Sequence, residues 1–593
     1  MSDHAPGVLR VDLSERRVRR EPVPEPWRRE FIGGKGLGAR YLYDELEPGM
    51  DPLGPKNRLL FLVGPLTGRL PGEPRYAAVT KSPLTGTFLD SYAGGTFPGA
   101  LAGALDGNLG LVVHGVADEP VRIEVEEGDA TIHAADEWGA DTAEMATAFP
   151  DATVACIGPA GEQQVAYATI ASDGGEHHAG RGGAGAVMGA KGLKAVVARG
   201  EPPAGLEALR DEYEERFREA DVGRWLAASD TVESVDFADR VGALATRGWT
   251  GDRFEGAEDV GVEAVRDAAE GRERDGEAVP GGFRVDTEEG ESVPRGATAM
   301  SLGAGLGVDD FDAVAALGER CNRAGLDVIS AGSAVAWAIR AGQEGVVDLS
   351  LEFGDHAGAR GLIDDIVARR TDLGDALADG VDAAAERFGG HGLVPTVKAM
   401  ELPAYDPRGA TSMALAYATS DRGACHRRAR PVEQEPFDGP WDPDRAAEAV
   451  ISEQDRRSVL WSLIVDDFAG DVFADLGAEW LAAVGLDYEP EELRLAGERV
   501  WTLTRLFNVR EGLTREDDAL PSMLREAAGG EGHGGVDVDR FSAMLDAYYA
   551  RRGWGPDGRP TRETVERVGL GDIVDAETPL AAEAAVFEPT DAA

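Results

Sequence analysis

The chain has 593 residues, of which 108 are Asp or Glu and 59 are Lys or Arg, for a formal charge of -49. That length exceeds what one core serves and predicts two to four domains. The negative charge is spread along the chain rather than gathered in a tail, and it excludes nucleic acid and anionic membranes as partners because their phosphates would be repelled.

Met1-Ser2-Asp3-His4 lacks the basic flank and apolar segment of a leader, and no apolar run approaches the roughly 20 residues that span a bilayer, so the expected location is the cytoplasm. Lys35, Lys56, Lys81, Lys191, Lys194 and Lys398 are the only lysines. An acidic, lysine-poor surface suits molar salt, where the screening length falls to roughly 3 Å, and the expected setting is a high-salt cell. Cys156, Cys321 and Cys425 are too few and too scattered for a disulfide framework or a cysteine-ligated cluster. Free thiols suit a reducing compartment, and the default reading of all three is a small buried apolar side chain.

Up to about residue 200 the apolar pattern has a short period, as in Val8-Leu9-Arg10-Val11, Leu59-Leu60-Phe61-Leu62 and Val121-Arg122-Ile123-Glu124-Val125, with Gly, Pro and Asp turns between. This part reads as β-rich. Two glycine-rich segments fall within it, Gly33-Gly34-Lys35-Gly36-Leu37-Gly38 and Gly180-Arg181-Gly182-Gly183-Ala184-Gly185. Clustered glycines let backbone N–H groups approach an anion and a neighbouring arginine adds charge-assisted hydrogen bonds, so phosphate binding is the functional reading. Neither matches a nucleotide-loop pattern, and alone each is more readily a tight turn.

After Gly200-Glu201-Pro202-Pro203 the spacing turns helical, over Leu206 to Ala228, Asp309 to Ala324, Ala334 to Gly345 and Arg445 to Ile464. The polar, Gly-rich stretch from Asp252 to Val293 shows no period and is expected to be a long loop. Asp466-Asp467, in so acidic a chain, is expected on the solvated surface.

In combination these segments resemble the aldehyde ferredoxin oxidoreductases. The likeness runs through Gly33-Gly34-Lys35-Gly36-Leu37, Gly64-Pro65-Leu66-Thr67-Gly68, Arg75, Thr80-Lys81-Ser82-Pro83-Leu84-Thr85-Gly86, Gly94-Gly95-Thr96-Phe97, Ile157-Gly158-Pro159-Ala160-Gly161-Glu162 and Ala179-Gly180-Arg181-Gly182-Gly183. It continues through Asn322-Arg323-Ala324-Gly325-Leu326-Asp327, Leu402-Pro403-Ala404-Tyr405-Asp406-Pro407-Arg408-Gly409, Arg422-Gly423-Ala424-Cys425-His426 and Arg505-Leu506-Phe507-Asn508. The resemblance implies an α+β protein in which a β-rich saddle (1–204) carries a tungsten or molybdenum bis-pterin with a magnesium ion, and two mainly helical domains (205–405 and 406–593) close over it. It implies oxidation of an aldehyde or similar carbonyl compound to an acid, with ferredoxin or another redox partner taking the electrons. Cofactor contacts are implied for Arg75, Tyr92, Gly94, Gly95, His177, His178, Gly180, Arg181, Gly182, Gly183, Asn322, Leu326, Asp327 and Arg408; no catalytic residue is assigned.

The chain also departs from that family's pattern. Where the family places four cysteines on a [4Fe–4S] cluster, this sequence has Gly276, Val279, Phe283 and Asp466, and a lone carboxylate cannot replace four thiolates, so the cluster is expected to be absent. The first of the two pterin motifs survives as Asn322 to Asp327, while the second has become Trp461-Ser462-Leu463-Ile464-Val465-Asp466. The family's acidic Pro-Glu-Tyr-Glu segment reads Pro294-Arg295-Gly296-Ala297, the histidine place after the Asp-Pro-Arg-Gly turn holds Met413, and the metal-bridged subunit contact reads Ala316-Leu317-Gly318-Glu319. An oligomer is therefore expected to lack that bridge. Two functions remain open: an oxidoreductase without an intrinsic cluster, or a non-catalytic paralogue that holds a pterin or binds a partner.

Overall fold

The computed structural model describes residues 5–277, 279–528 and 533–587. The expectations for Met1 to His4, for Ala278 within the former cluster stretch and for residues 588–593 lie outside these.

The short-period apolar runs form strands β1 (Gly7–Asp12), β2 (Arg17–Pro22), β3 (Leu59–Leu62), β4 (Tyr76–Lys81), β5 (Phe88–Ala93), β6 (Gly110–His114), β7 (Val121–Glu126), β8 (Asp129–Ala134), β9 (Thr153–Cys156), β10 (Ile170–Ser172), β11 (His177–Ala179) and β12 (Leu193–Arg199). They build two six-stranded sheets, ordered β2-β1-β6-β3-β4-β5 and β11-β10-β9-β12-β7-β8. The β1/β6 and β7/β12 pairs are parallel and the rest antiparallel.

Apart from its exposed edge strand β2, the first sheet is buried on both faces, and the two-residue period of its strands sorts its side chains between two cores. Leu59, Phe61, Tyr76, Ala78, Leu111 and Val113 pack towards the second sheet. Leu60, Leu62, Ala77, Val79 and Val112 meet Leu37 and Tyr41 of the helix Gly34–Glu45 and Leu503, Leu506 and Phe507 of the helix Pro490–Arg510. The C-terminal helices thus complete the core of the N-terminal sheets.

Beyond residue 200 the protein is mostly helical, with Phe311–Ala324, Val328–Gln343 and Pro443–Leu463 at the places the spacing predicts. The run from Leu206 is two helices, Glu207–Glu219 and Asp221–Ser229, broken at the extended Ala220. The expected loop from Asp252 to Val293 is instead ordered: it holds the helices Ala257–Val260 and Val262–Ala268 and a three-stranded sheet, Ala269–Arg272, Phe283–Thr287 and Gly290–Ser292. Its elements are too short to carry a periodic signal, and Val265 and Phe283 earn their order by packing on Val232. No helix among the described residues is long and apolar enough to cross a membrane.

The glycine segment at Gly33 to Gly38 packs the backbone of one helix start rather than cradling an anion. A Cβ at Gly34 would lie 2.3 Å from the Trp461 carbonyl oxygen, and one at Gly36 would lie 2.2 Å from that of Phe31. Its Lys35 is buried and ion-paired to Asp90 and Asp421. Lysine is in fact a core residue here. Lys35, Lys81, Lys191 and Lys194 are buried, the Lys398 side chain is 2% exposed, and Lys56 alone, at 73%, faces solvent. An amine-directed acylating reagent is accordingly expected to modify Lys56 in the folded protein and to spare the other five lysines, as peptide mapping would read; labelling of Lys35 or Lys194 in folded material would contradict the burial.

Candidate functional site

A cavity of about 400 Å³ is lined by residues from both the sheets and the helical part. Of the side chains and glycines that the sequence nominates, Arg75, Tyr92, Gly94, His177, His178, Gly180, Arg181, Asn322, Leu326 and Asp327 line it. Gly95, Gly182, Gly183 and Arg408 do not. Arg408 is committed elsewhere, with its Nε and Nη2 on the Asp406 carboxylate and its Nη2 also on the Trp249 carbonyl. Gly183 supports the wall from behind: its φ is +83° and a Cβ there would lie 2.1 Å from the Ala166 carbonyl oxygen, so only glycine fits.

Arg181 adopts φ 63°, a region that long side chains avoid, and this turn sends its side chain under the cavity. It is 5% exposed, donates through Nη2 to the Glu401 carbonyl, and keeps Nε and Nη1 without a hydrogen-bond partner. The nearest carboxylate, Asp327, is 3.9 Å away. A shielded guanidinium with two free donors is costly unless an anion completes it.

Asn322 to Asp327 owes its shape to helix-end chemistry. Gly325 takes the left-handed conformation after the helix Phe311–Ala324, the Leu326 amide returns to the Cys321 carbonyl at 2.9 Å, and Asp327 caps the next helix by accepting from the Ser330 amide at 2.8 Å. The degenerate motif Trp461 to Asp466 repeats this path. Ile464 stands in the left-handed position with φ 59°, and the Val465 amide returns to the Leu460 carbonyl at 2.9 Å. The backbone turn has outlived its glycine, while the chemistry has changed. Trp461 is buried, stacks on Tyr92 at 5.3 Å and donates from Nε1 to Asp467 at 2.7 Å.

Asp466 and Asp467 are buried rather than solvated. Asp466 accepts from Arg75 Nε at 3.0 Å and Nη2 at 2.7 Å, and from the Phe468 and Ala469 amides. Asp467 accepts from Arg427 Nε at 2.6 Å, and Arg427, Arg75, Arg457 and Arg430 outweigh its burial and hold its carboxyl far below the usual range. Arg75, read as a phosphate ligand, is also 3.0 Å from Glu73. Burial would push Glu73 up, but His177, Arg75, Arg274 and Arg295 pull it down to about 2. The pair thereby stays ionised. Of the four positions that the resemblance aligns with cluster ligands, Val279 and Asp466 both line the cavity, with Val279 in one apolar cluster with Ala469; Gly276 is exposed and Phe283 packs on Val232 and Val265.

His177 stands 3.2 Å from Glu73 and 3.5 Å from Glu273, and its ring could join Glu176 and Glu273 around a cation. Guanidiniums already hold those carboxylates, Arg284 at 2.8 Å from Glu176 and Arg295 at 2.7 Å from Glu273, so the group is a salt-bridge knot. Burial lowers His178 to about 4, and its two nitrogens face the Thr169 hydroxyl and the Gly175 carbonyl, each at 2.7 Å. It is a neutral strut.

The sequence reading found Met413 at the family's histidine place and expected no proton carrier there, and Met413 is buried outside the cavity. The cavity histidine missed by that reading is His426. Its Nδ1 has no partner, its ring lies 5.6 Å from that of Tyr405, and burial together with Arg430, Arg181, Arg427 and Arg422 drives its pKa well below the usual value. Glu73, Arg295 and Arg422 on the cavity wall were missed as well. Arg422, His426 and Arg295 were within quoted segments; Glu73 had no signal because only folding brings it to the wall.

The chain matches the family model described as aldehyde ferredoxin oxidoreductase, N-terminal domain, over residues 8–200, and that for domains 2 and 3 over residues 208–570. It is 34% identical over 610 residues to a tungsten-containing aldehyde ferredoxin oxidoreductase of Pyrococcus abyssi (strain GE5 / Orsay), spanning 96% of this chain and 99% of that protein. It is 25% identical to an aliphatic sulfonate oxidoreductase, WOR-like subunit, of Pyrococcus furiosus, spanning 95% and 97%. Among solved structures, the active site complex BamBC of benzoyl coenzyme A reductase with 1,5 dienoyl-CoA shares the fold at a TM-score of 0.80 and 24% identity, over 96% of this chain and 97% of that one.

Proposed function

This chain belongs to the aldehyde ferredoxin oxidoreductase family, and on that premise we propose that it oxidises an aldehyde or similar small carbonyl compound to the acid, with a tungsten or molybdenum pterin in the cavity and no intrinsic [4Fe–4S] cluster. The carrying observation is Arg181, which lines the cavity with Asp327 and Asn322 and whose Nε and Nη1 are buried without a hydrogen-bond partner. That donor set fits the phosphate of a pterin, with a magnesium ion as its counter-charge, and the intact helix-end turn at Gly325 supports one pterin place.

The second place fits less well, since Trp461 occupies it and the Arg75 guanidinium is taken by Asp466 and Glu73. When bound, the pterin-held metal supplies the two-electron chemistry. The protein's own part is to hold the anionic ends on Arg181 and Arg422 and to offer the unpartnered Nδ1 of the neutral His426 ring as a hydrogen-bonding group. The absence of a cluster is supported by the side chains at its places, none of which is a thiolate. Electrons then leave to ferredoxin or another external acceptor. The Arg75–Asp466 pair also favours a second reading, a family member that holds a pterin or partner without turnover.

Metal and pterin analysis of natively purified protein separates these. The enzyme reading expects stoichiometric tungsten or molybdenum, pterin fluorescence after denaturation and no iron–sulfur absorption near 400 nm; Arg181→Met is expected to lower the metal and pterin content about tenfold through the lost charge-assisted hydrogen bonds. Native protein free of both metal and pterin would sink the enzyme reading, and four coupled irons would sink the cluster claim.

A further inference from the structure

Eight arginines line the cavity, and seven of them have a carboxylate within 4.0 Å. Arg422 has none among the described residues. It is 4% exposed; Nη1 donates to the carbonyls of Asp90 at 2.9 Å and Gly180 at 3.5 Å, Nη2 lies 3.1 Å from Cys425 Sγ, and Nε has no partner. Backbone carbonyls satisfy its hydrogen bonds but do not neutralise its charge, and a buried charge without a counter-ion is strongly disfavoured.

We infer that Cys425 is a thiolate in the folded protein, the counter-charge that positions Arg422 so that its remaining Nε–H is presented to the cavity. Cys425 is therefore a positioning residue acting through Arg422, and this holds whichever cofactor occupies the site. Three further groups face the thiol: Arg181 from the glycine-rich loop, Arg428 from its own segment, and Tyr417 from the helix Ser412–Ala418. Burial would push the thiol up, but Arg422, Arg428 and Arg181 outweigh it and bring it to about 7. Cys156 and Cys321, buried in apolar clusters, are pushed up to about 12. Cationic neighbours are what turn a buried thiol into a thiolate.

These offsets make a clean titration possible. Thiolate absorbance at 240 nm, followed from pH 5.5 to 9 in constant molar salt, is expected to show a one-thiol step centred near pH 7 that disappears in Cys425→Ser. Arg422→Gln is expected to move the step up by more than one pH unit, leaving at least about fivefold less thiolate at pH 7, whereas Arg422→Lys, which keeps the charge, retains the low midpoint. Cys425→Asp is expected to keep the thermal midpoint that Cys425→Ser lowers. The inference is overturned if the wild type shows no step below pH 8.5, if the step ignores Arg422→Gln, or if Ser and Asp behave alike.

Discussion

Replacing Arg428 by methionine is expected to lower the free energy of unfolding by about 3–5 kcal/mol at pH 7, the range for removing one partner of a buried ion pair. The Arg428 side chain is 1% exposed, its Nε lies 2.8 Å from Asp421, and its Nη2 reaches Asp90. Lys35 pairs with the same two carboxylates, 3.2 Å from Asp90 and in closer contact with Asp421, and all four side chains are at most 2% exposed. Arg428 also lies 4.4 Å over the Trp461 ring. Two cations therefore neutralise two anions at full burial. Deleting one cation leaves a net buried negative charge, and methionine repays only the packing of the stem.

Linkage gives this deficit a pH dependence. Burial raises Asp421, but Arg428 and Lys35 prevail and hold it far below its ordinary value of 3.8. A depressed carboxyl contributes stability that is complete above the unfolded pKa and lost as pH falls through the folded one. In Arg428→Met that contribution shrinks, because the carboxyls can regain protons at higher pH. The deficit is thus expected to be largest at pH 7 and smaller near pH 4. Urea unfolding of both proteins in constant molar salt measures it, and a loss under about 1 kcal/mol at pH 7 would show that the quartet is not the tie between helix Gly34–Glu45, β5 and the segment carrying Asp421 and Arg428.

The second large effect is of salt on the whole chain. Transfer from molar salt to about 0.05 M, where the screening length exceeds 10 Å, is expected to unfold the protein at room temperature and abolish most of its helical circular dichroism. Screening acts on two opposed terms. Surface pairs such as Arg224–Asp221, with side chains 63% and 98% exposed, gain from low salt, but each contributes at most about 1 kcal/mol. Repulsion among the carboxylates behind a charge of -49 grows at the same time, and five of six lysines are inside and cannot offset it. Repulsion wins because it sums over many more pairs. An unchanged thermal midpoint in 0.05 M salt would remove the case for a high-salt cell.

Several elements were legible from local pattern. The alternation in Val121 to Val125 is an inward-facing strand, and the helical spacing before Ile464 is the helix Pro443–Leu463. Asn322 to Asp327 was readable as a cavity motif through the family resemblance, and its path is local: a left-handed glycine followed by a capping aspartate sets it. Illegible were the fates of side chains whose partners are hundreds of residues away. Arg75 meets Asp466 across 391 residues, and Lys35 meets Asp421 across 386. From the sequence alone the first was a phosphate ligand, the second part of an anion loop, and Asp466-Asp467 a patch of surface.

By itself the sequence determined the family and the α+β order of strands then helices, since identity and short-range periodicity carry both. Only the tertiary structure decided which charges are spent on one another and which are left for a ligand. It satisfied Arg75 and Arg408 internally, left Arg181 and Arg422 facing the cavity with free donors, and set His426 there in place of Met413. The reason is electrostatic: a buried group's role depends on the charges within a few ångströms of it, and that neighbourhood exists only after distant segments have packed together.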